Sequence, residues 1–171
     1  DLEDHPGRIA HRLLAMGLDP VSIADRFTYM APETPLLERS PFDSRVIPNS
    51  ARNALIDLLT GLDPALVIVD GMTELLAIHA LKPNDGDDLA NLGTHLLKKI
   101  AATGPAVVVI DHQAKTANGL DGAIGSQHKK AYLTGVSLSV TKLKPFGIGK
   151  TGRSAVKVVK DRNGEVRRHT V

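Results

Sequence analysis

Ala65-Leu-Val-Ile-Val-Asp-Gly71 is an apolar run, rich in β-branched residues, that stops on a carboxylate. A run of that length bounded by Asp70 and Gly71 reads as a strand buried on both faces of a parallel sheet, its acid presented at the carboxyl edge. Ligands of open α/β sheets bind at that edge. Pro105-Ala-Val-Val-Val-Ile-Asp-His112 repeats the pattern and finishes on Asp111 and His112. Two such strands joined by a long amphipathic helix make a βαβ unit with its chemistry along one rim. The expected fold class is therefore α/β, a mainly parallel sheet flanked by helices.

Outward from this unit, the spacing of Ile9, Leu13, Leu14 and Met16 predicts an amphipathic helix over 6–16, with Pro6 in its first turn and Gly17 as its stop. Asp19 caps a second short helix to about residue 26. Residues 27–30 read as a short strand. The four prolines Pro32, Pro35, Pro41 and Pro48 make 31–48 an exposed linking loop. Ser50 then caps a helix to about residue 62, with Ala54, Leu55, Leu58, Leu59 and Leu62 on one face. Residues 72–79 read as a short helix or helical turn, and Asp87 or Asp88 starts the long helix to about residue 102, with Leu89, Leu92, Leu96, Leu97 and Ile100 facing inward. Residues 113–127 hold no sustained period, and loops of that length in compact domains are more often functional than accidental. From Gly135 the period becomes two, through 136–140, 155–159 and 165–171 around Asn163-Gly164. These are antiparallel strands closing the C-terminal edge of the sheet.

The 171 residues suffice for one domain, 1–171, with a real core, and aromatics at 3% make that core aliphatic. The absence of cysteine excludes disulfides and thiolate metal sites. No apolar run reaches the roughly 20 residues that span a bilayer. The chain reads as intracellular and cytoplasmic, with no membrane contact, and its charged opening Asp1-Leu-Glu-Asp4 without an initiating Met suggests part of something longer. Residues 1–111 carry 9 Lys/Arg against 16 Asp/Glu, whereas residues 112–171 carry 12 against 3. The C-terminal third is thus the candidate surface for a polyanion. Its basic residues, Lys142 to Arg168, read as lacking interleaved aromatics for base stacking, so phosphate contact without sequence readout is what they suggest. His5, His11, His79, His95 and His169 share no metal-ligand spacing with carboxylates and read as surface or capping residues.

An acid after a hydrophobic strand, as at Asp70, suits Mg²⁺ in nucleotide hydrolysis, since hard cations want oxygen ligands. A nearby Glu can orient attacking water, and a polar group at the next strand's end can sense the terminal phosphate. Leu2-Glu-Asp-His-Pro-Gly-Arg-Ile-Ala-His-Arg-Leu13, Val67-Ile-Val-Asp70, Val109-Ile-Asp-His-Gln-Ala-Lys115 and Gly122-Ala-Ile-Gly-Ser126 follow one another as in RepA-like ATPases of the RecA/DnaB superfamily. The resemblance covers nearly the whole chain and implies a RecA-like fold, ATP and Mg²⁺ as ligands, single-stranded DNA as partner and a homo-oligomeric, hexameric ring working in replication. It implies Glu3 as the catalytic glutamate, Asp70 as the Walker B acid near Mg²⁺ and His112 as the γ-phosphate sensor. It also sets the 113–127 loop, with Lys115 and Asn118, facing DNA, and puts Lys129 or Lys130 where a basic residue reaches the neighbouring subunit's nucleotide.

A phosphate-binding loop needs G-x-x-x-x-G-K-[S/T], whose backbone N–H groups cradle the phosphates. The near match at Gly149-Lys-Thr151 fails because its first Gly falls on Lys144. In the family that loop precedes the Glu3 region, so it is expected upstream of Asp1 or lost, and these residues alone should bind ATP poorly or not at all. The first expectation is the ATPase core of a replicative helicase or DNA motor. The others are a non-hydrolysing DNA-binding or assembly module, and a regulatory ATPase-like protein acting on a protein partner.

Overall fold

The computed structural model describes residues 4–43, 45–112, 133–147 and 149–166, and the chain divides into two units, Asp1–Gln113 and Ala114–Val171. The first unit opens with α1, Pro6–Ala15, and α2, Pro20–Arg26. Both carry Pro in the first turn, where its missing N–H is one of the orphan donors anyway. The His5 ring accepts from the Gly7 N–H at 3.1 Å, and Asp19 accepts from the Ser22 N–H at 2.9 Å. The Asp19 cap is the expected one, His5, read only as a surface or capping residue, caps α1, and Gly17 (φ +93°) ends α1 where an L side chain would be strained.

Two readings of the next stretch are corrected. Residues 27–30 form no strand, because Pro32 and Pro35 follow at once and Pro cannot donate to a ladder. The Tyr29 hydroxyl donates instead to the Asp4 carbonyl, tying this segment to the start of α1. Nor is 31–48 a bare loop, since β1, Leu37–Arg39, pairs antiparallel with β2, Val46–Pro48. Its prolines sit at the margins of the ladder, so the pairing survives, and Leu36, Leu37 and Val46 are buried.

Asn49, rather than Ser50, caps α3, Ser50–Leu62, by accepting from the Arg52 N–H at 3.0 Å. Next come β3, Leu66–Asp70, and α4, Met72–Ile78. The long helix runs through three parts: α5, Gly86–Leu92, a π-helical turn, Gly93–Leu97, and α6, Lys98–Ala101. Asp85 caps it, taking the Asp87 and Asp88 N–H groups at 2.9 and 3.2 Å. Its inward stripe is as expected at Leu89, Leu92, Leu96 and Ile100, which are buried, whereas Leu97 is half-buried. Each such leucine contributes roughly 1.5–3 kcal/mol by leaving water. β4, Ala106–Ile110, then lies parallel to β3 with Leu66 opposite Ala106 and Asp70 opposite Ile110.

The βαβ unit is therefore present, but burial on both strand faces is not. Val67, Val69, Val107 and Val109 are half-buried, whereas Ile68 is 52% and Val108 47% exposed, with Leu66 and Ile110 beside them on the same side. Alternation of exposure along both strands means that one face of the sheet is covered and the other open. Leu58 and Leu62 of α3 are likewise exposed, leaving Leu59 as its buried anchor.

In the second unit, β5, Val136–Lys144, pairs antiparallel with β6, Arg153–Asp161. Among the described residues these strands pair only with each other, so three two-stranded sheets stand where one sheet with antiparallel edge strands was expected. The strands are longer than the two five-residue runs read from the sequence. Asn163-Gly164 does turn, with Gly164 at φ +72° and the Asp161 carboxylate accepting from the Gly164 and Val166 N–H groups at 2.9 and 2.8 Å. The rest of the strand expected over 165–171 lies outside the described residues. No helix among the described residues is long and apolar enough to cross a membrane.

Candidate functional site

Hydrophobic strand residues carry Asp70 to the carboxyl rim of the parallel pair, where its side chain is half-buried. The parallel register sets Asp70 level with Ile110, so Asp111 and His112 continue β4 just past it on the same rim. Asp111 is half-buried and His112 exposed. Of the residues singled out by sequence, the structure thus brings Asp70 and His112 to one edge. Glu3, Lys115, Asn118, Lys129 and Lys130 lie outside the described residues, as does the 113–127 loop apart from its position in the chain.

Asp4, next to Glu3, is fixed in place. Its carboxylate meets Arg12 at 2.7 Å and Arg8 at 3.8 Å and accepts from the His5 N–H at 2.8 Å. The His5 hydrogen bond, followed by the Arg12 and Arg8 charges, holds the Asp4 carboxyl below the ordinary carboxylate range. Through the Tyr29 bond this corner leads to Met30 and Pro32, which line a cavity of about 100 Å³. Val67, Leu75 and Leu96 line it too, and Asp70 borders it. The N-terminal helices are therefore connected through one short segment to the wall beside Asp70.

Gly71 caps α4 directly behind Asp70, and Glu74 follows in the first turn. One Glu74 oxygen, Oε2, is buried and accepts no hydrogen bond among the described residues. At the other end of the same helix, His79 is 5% exposed and uses both ring nitrogens. Its Nδ1 donates to the Leu75 carbonyl at 2.6 Å, and Nε2 accepts from the Leu36 N–H at 2.9 Å. Burial pushes its pKa down, partly offset by the Leu75 bond. His79 is thus the capping residue of the sequence reading rather than a surface one: it is the C-cap of α4, and from its buried position it ties α4 to the lead into β1. A lone His in an apolar helix offers no sequence signal of a partner 43 residues away.

A second ionic centre sits by α5. Asp88, almost wholly buried, accepts from Arg39 Nη2 at 2.7 Å and from the Lys82 N–H at 2.8 Å. With Asp85, Asp87 and Asn91 these residues line a polar recess. Sequence reading started the long helix at Asp87 or Asp88; it starts at Gly86 with Asp85 as its cap, and Asp88 joins β1 to the long helix. The π-helical turn serves a similar end, because Arg52 of α3 donates from Nε to the His95 carbonyl at 3.1 Å.

An Asp carboxylate at the end of a strand, with no ion pair among the described residues, fits the outer sphere of a Mg²⁺ ion. It does not hold one alone: the described residues contain no group of three or more His, Asp or Glu placed for a metal. The remaining ligands would be phosphate oxygens and a phosphate-loop hydroxyl, and these 171 residues contain no G-x-x-x-x-G-K-[S/T]. In comparisons with known proteins, the family model described as AAA domain matches residues 1–118, the span that carries Asp70 and His112. No curated protein matches the chain.

Proposed function

The chain belongs to the AAA domain family, nucleotide-dependent ATPases of the P-loop, RecA-like kind, and from that premise we propose that it is the core of a RepA-type DNA motor or replicative helicase. Nucleoside triphosphate hydrolysis is coupled to single-stranded DNA in a homo-oligomeric ring. The observation that carries this reading is the parallel register of β3 and β4, which delivers Asp70 and, two residues beyond Ile110, His112 to one rim. Asp70 acts at Mg²⁺, whose charge when bound stabilises the transferring phosphoryl group. His112 responds to the γ-phosphate and passes its state into the adjoining 113–127 loop, where Lys115 and Asn118 meet DNA. Glu3 orients the attacking water, and Lys129 or Lys130 reaches the nucleotide of the next subunit. A polypeptide that joins these residues to a phosphate loop is the active species.

One observation favours a second reading. Since the phosphate-loop pattern is missing from these residues, a module that keeps the fold and binds DNA without hydrolysis fits them as well. Hydrolysis by the full-length polypeptide, with and without single-stranded DNA, beside Asp70→Ala, separates the two. The motor predicts DNA-stimulated turnover that falls to background in Asp70→Ala. Turnover unchanged by the substitution removes Asp70 from the site, and no turnover in the parent leaves the binding module.

A further inference from the structure

Residues 133–160 hold Lys142, Lys144, Lys150, Arg153, Lys157 and Lys160 and not one acidic residue. In the hairpin, Lys144 lies directly across the ladder from Arg153, and Lys142 across from Ser154. Like charges directly opposite each other destabilise an isolated strand pair. Lys142, Lys144, Lys150 and Arg153 are all exposed and gather towards the connecting turn, closed by the Lys150 N–H donating to the Gly147 carbonyl at 2.9 Å. The same turn holds an aromatic ring. Phe146 is 66% exposed, yet its ring is seated: a Cβ added at Gly152 would lie 2.3 Å from Phe146 Cγ. The ring therefore rests in the space that Gly152 leaves open. Reading the basic stretch as lacking an aromatic is corrected by this residue, which sits between Lys144 and Lys150.

We propose that the β5–β6 hairpin tip is a contact for single-stranded nucleic acid, with Phe146 as a stacking platform for a base and Lys142, Lys144, Lys150 and Arg153 on the flanking phosphates. The inference rests on the nucleic-acid partner proposed above and adds a second place of contact, apart from the 113–127 loop. A seated ring offers an aromatic face to any base, and cations spaced along two strands track a phosphate backbone. An acidic peptide would use the cations and leave the ring idle. A membrane surface would call for a cluster of apolar side chains at the turn, where Phe146 and Leu143 are the exposed ones among the described residues, set beside Pro145, Gly147, Gly149 and Gly152.

The test is equilibrium binding of the full chain, without nucleotide, to a labelled oligothymidylate of about twenty nucleotides, over roughly 50 to 200 mM salt. Phe146→Ala is expected to weaken binding by about 5- to 150-fold, the range for one stacked base, with the salt slope unchanged. Phe146→Tyr should bind as the parent does, and Gly152→Ala, which dislodges the ring, should weaken binding in the same direction. Lys144→Ala with Arg153→Ala should lower the slope of log K against log salt by about 1.4, two phosphates at about 0.7 each. Circular dichroism of each variant should match the parent. Binding within twofold of the parent in Phe146→Ala overturns the proposal. So does capture by phosphatidylserine vesicles that depends on Phe146 while the oligonucleotide does not. Loss of binding only on Lys115→Ala and Asn118→Ala would likewise overturn the hairpin contact and leave the motor reading intact, whereas failure of hydrolysis leaves the hairpin result unaffected.

Discussion

Replacing His79 tests whether α4 is held to the lead into β1 by one imidazole. In His79→Leu the Leu36 N–H loses its acceptor and the Leu75 carbonyl its ring donor. An unsatisfied buried N–H costs about 1–3 kcal/mol and the second bond about 1 kcal/mol more, against which an apolar side chain recovers roughly 1 kcal/mol of desolvation, for a net loss of about 2 kcal/mol. His79→Gln places its amide oxygen where Nε2 lies and should lose about 1 kcal/mol; His79→Asn, too short to reach Leu36, should fall between Gln and Leu. Urea unfolding of the full chain followed by circular dichroism measures all three. Acid adds a second signature. Burial lowers the folded pKa below the unfolded value near 6.5, so the unfolded chain takes up the proton first. The stability His79 supplies is complete above pH 6.5 and drains away as pH falls below it, because a protonated Nε2 would point an N–H at the Leu36 N–H. The gap between the parent and His79→Gln must therefore narrow on acidification. Parallel pH profiles for the two proteins, or a loss below 0.5 kcal/mol in His79→Leu, would refute the tie.

Three further substitutions probe the frame around the rim. Asn49→Ala removes the cap that takes the Arg52 N–H and should cost about 1 kcal/mol in denaturant unfolding. Asp63 ends α3 in the left-handed region at φ +46°, so Asp63→Gly is expected to stabilise by a few tenths to about 1 kcal/mol, seen as a raised melting temperature. Asp88→Ala takes the acceptor from the Lys82 N–H and one ion-pair partner from Arg39 and should cost about 1–2 kcal/mol, with Asp88→Asn, which keeps one acceptor, losing less.

The helices were legible because their start and stop signals act locally. Pro6 with Gly17, Asp19 with Pro20, and the stripe from Leu89 to Ile100 each specify an element within one or two turns of chain. Capping residues were harder, since Asn49 and Ser50, or Asp85, Asp87 and Asp88, are equivalent by type, and geometry alone decides which carboxylate or amide meets the first free N–H groups. Prolines misled in the opposite sense. A residue that breaks a ladder from within can frame one from its margins, as Pro35 and Pro48 do around Leu37 and Val46.

Burial was the least legible property, and the reason bears on the site. Val67-Ile-Val-Asp70 has the composition of a strand covered on both faces, yet composition reports what a segment tolerates, not what lies against it. Here α3, α4 and the long helix supply Leu59, Leu75, Leu96 and Ile100 to one side, and Leu66, Ile68, Val108 and Ile110 remain open on the other. The rim was legible nonetheless, because a parallel pair fixes which residues stand level with one another whatever covers its faces. Once Leu66 is set against Ala106, Asp70 must stand against Ile110, and Asp111 and His112 must follow on the same edge. The tie at His79 belongs to the other category. It joins residues 43 positions apart through a ring whose neighbours in sequence say nothing of Leu36. Local pattern therefore places Asp70, Asp111 and His112 on one rim, while the bonds that hold the surrounding frame emerge only from the folded chain.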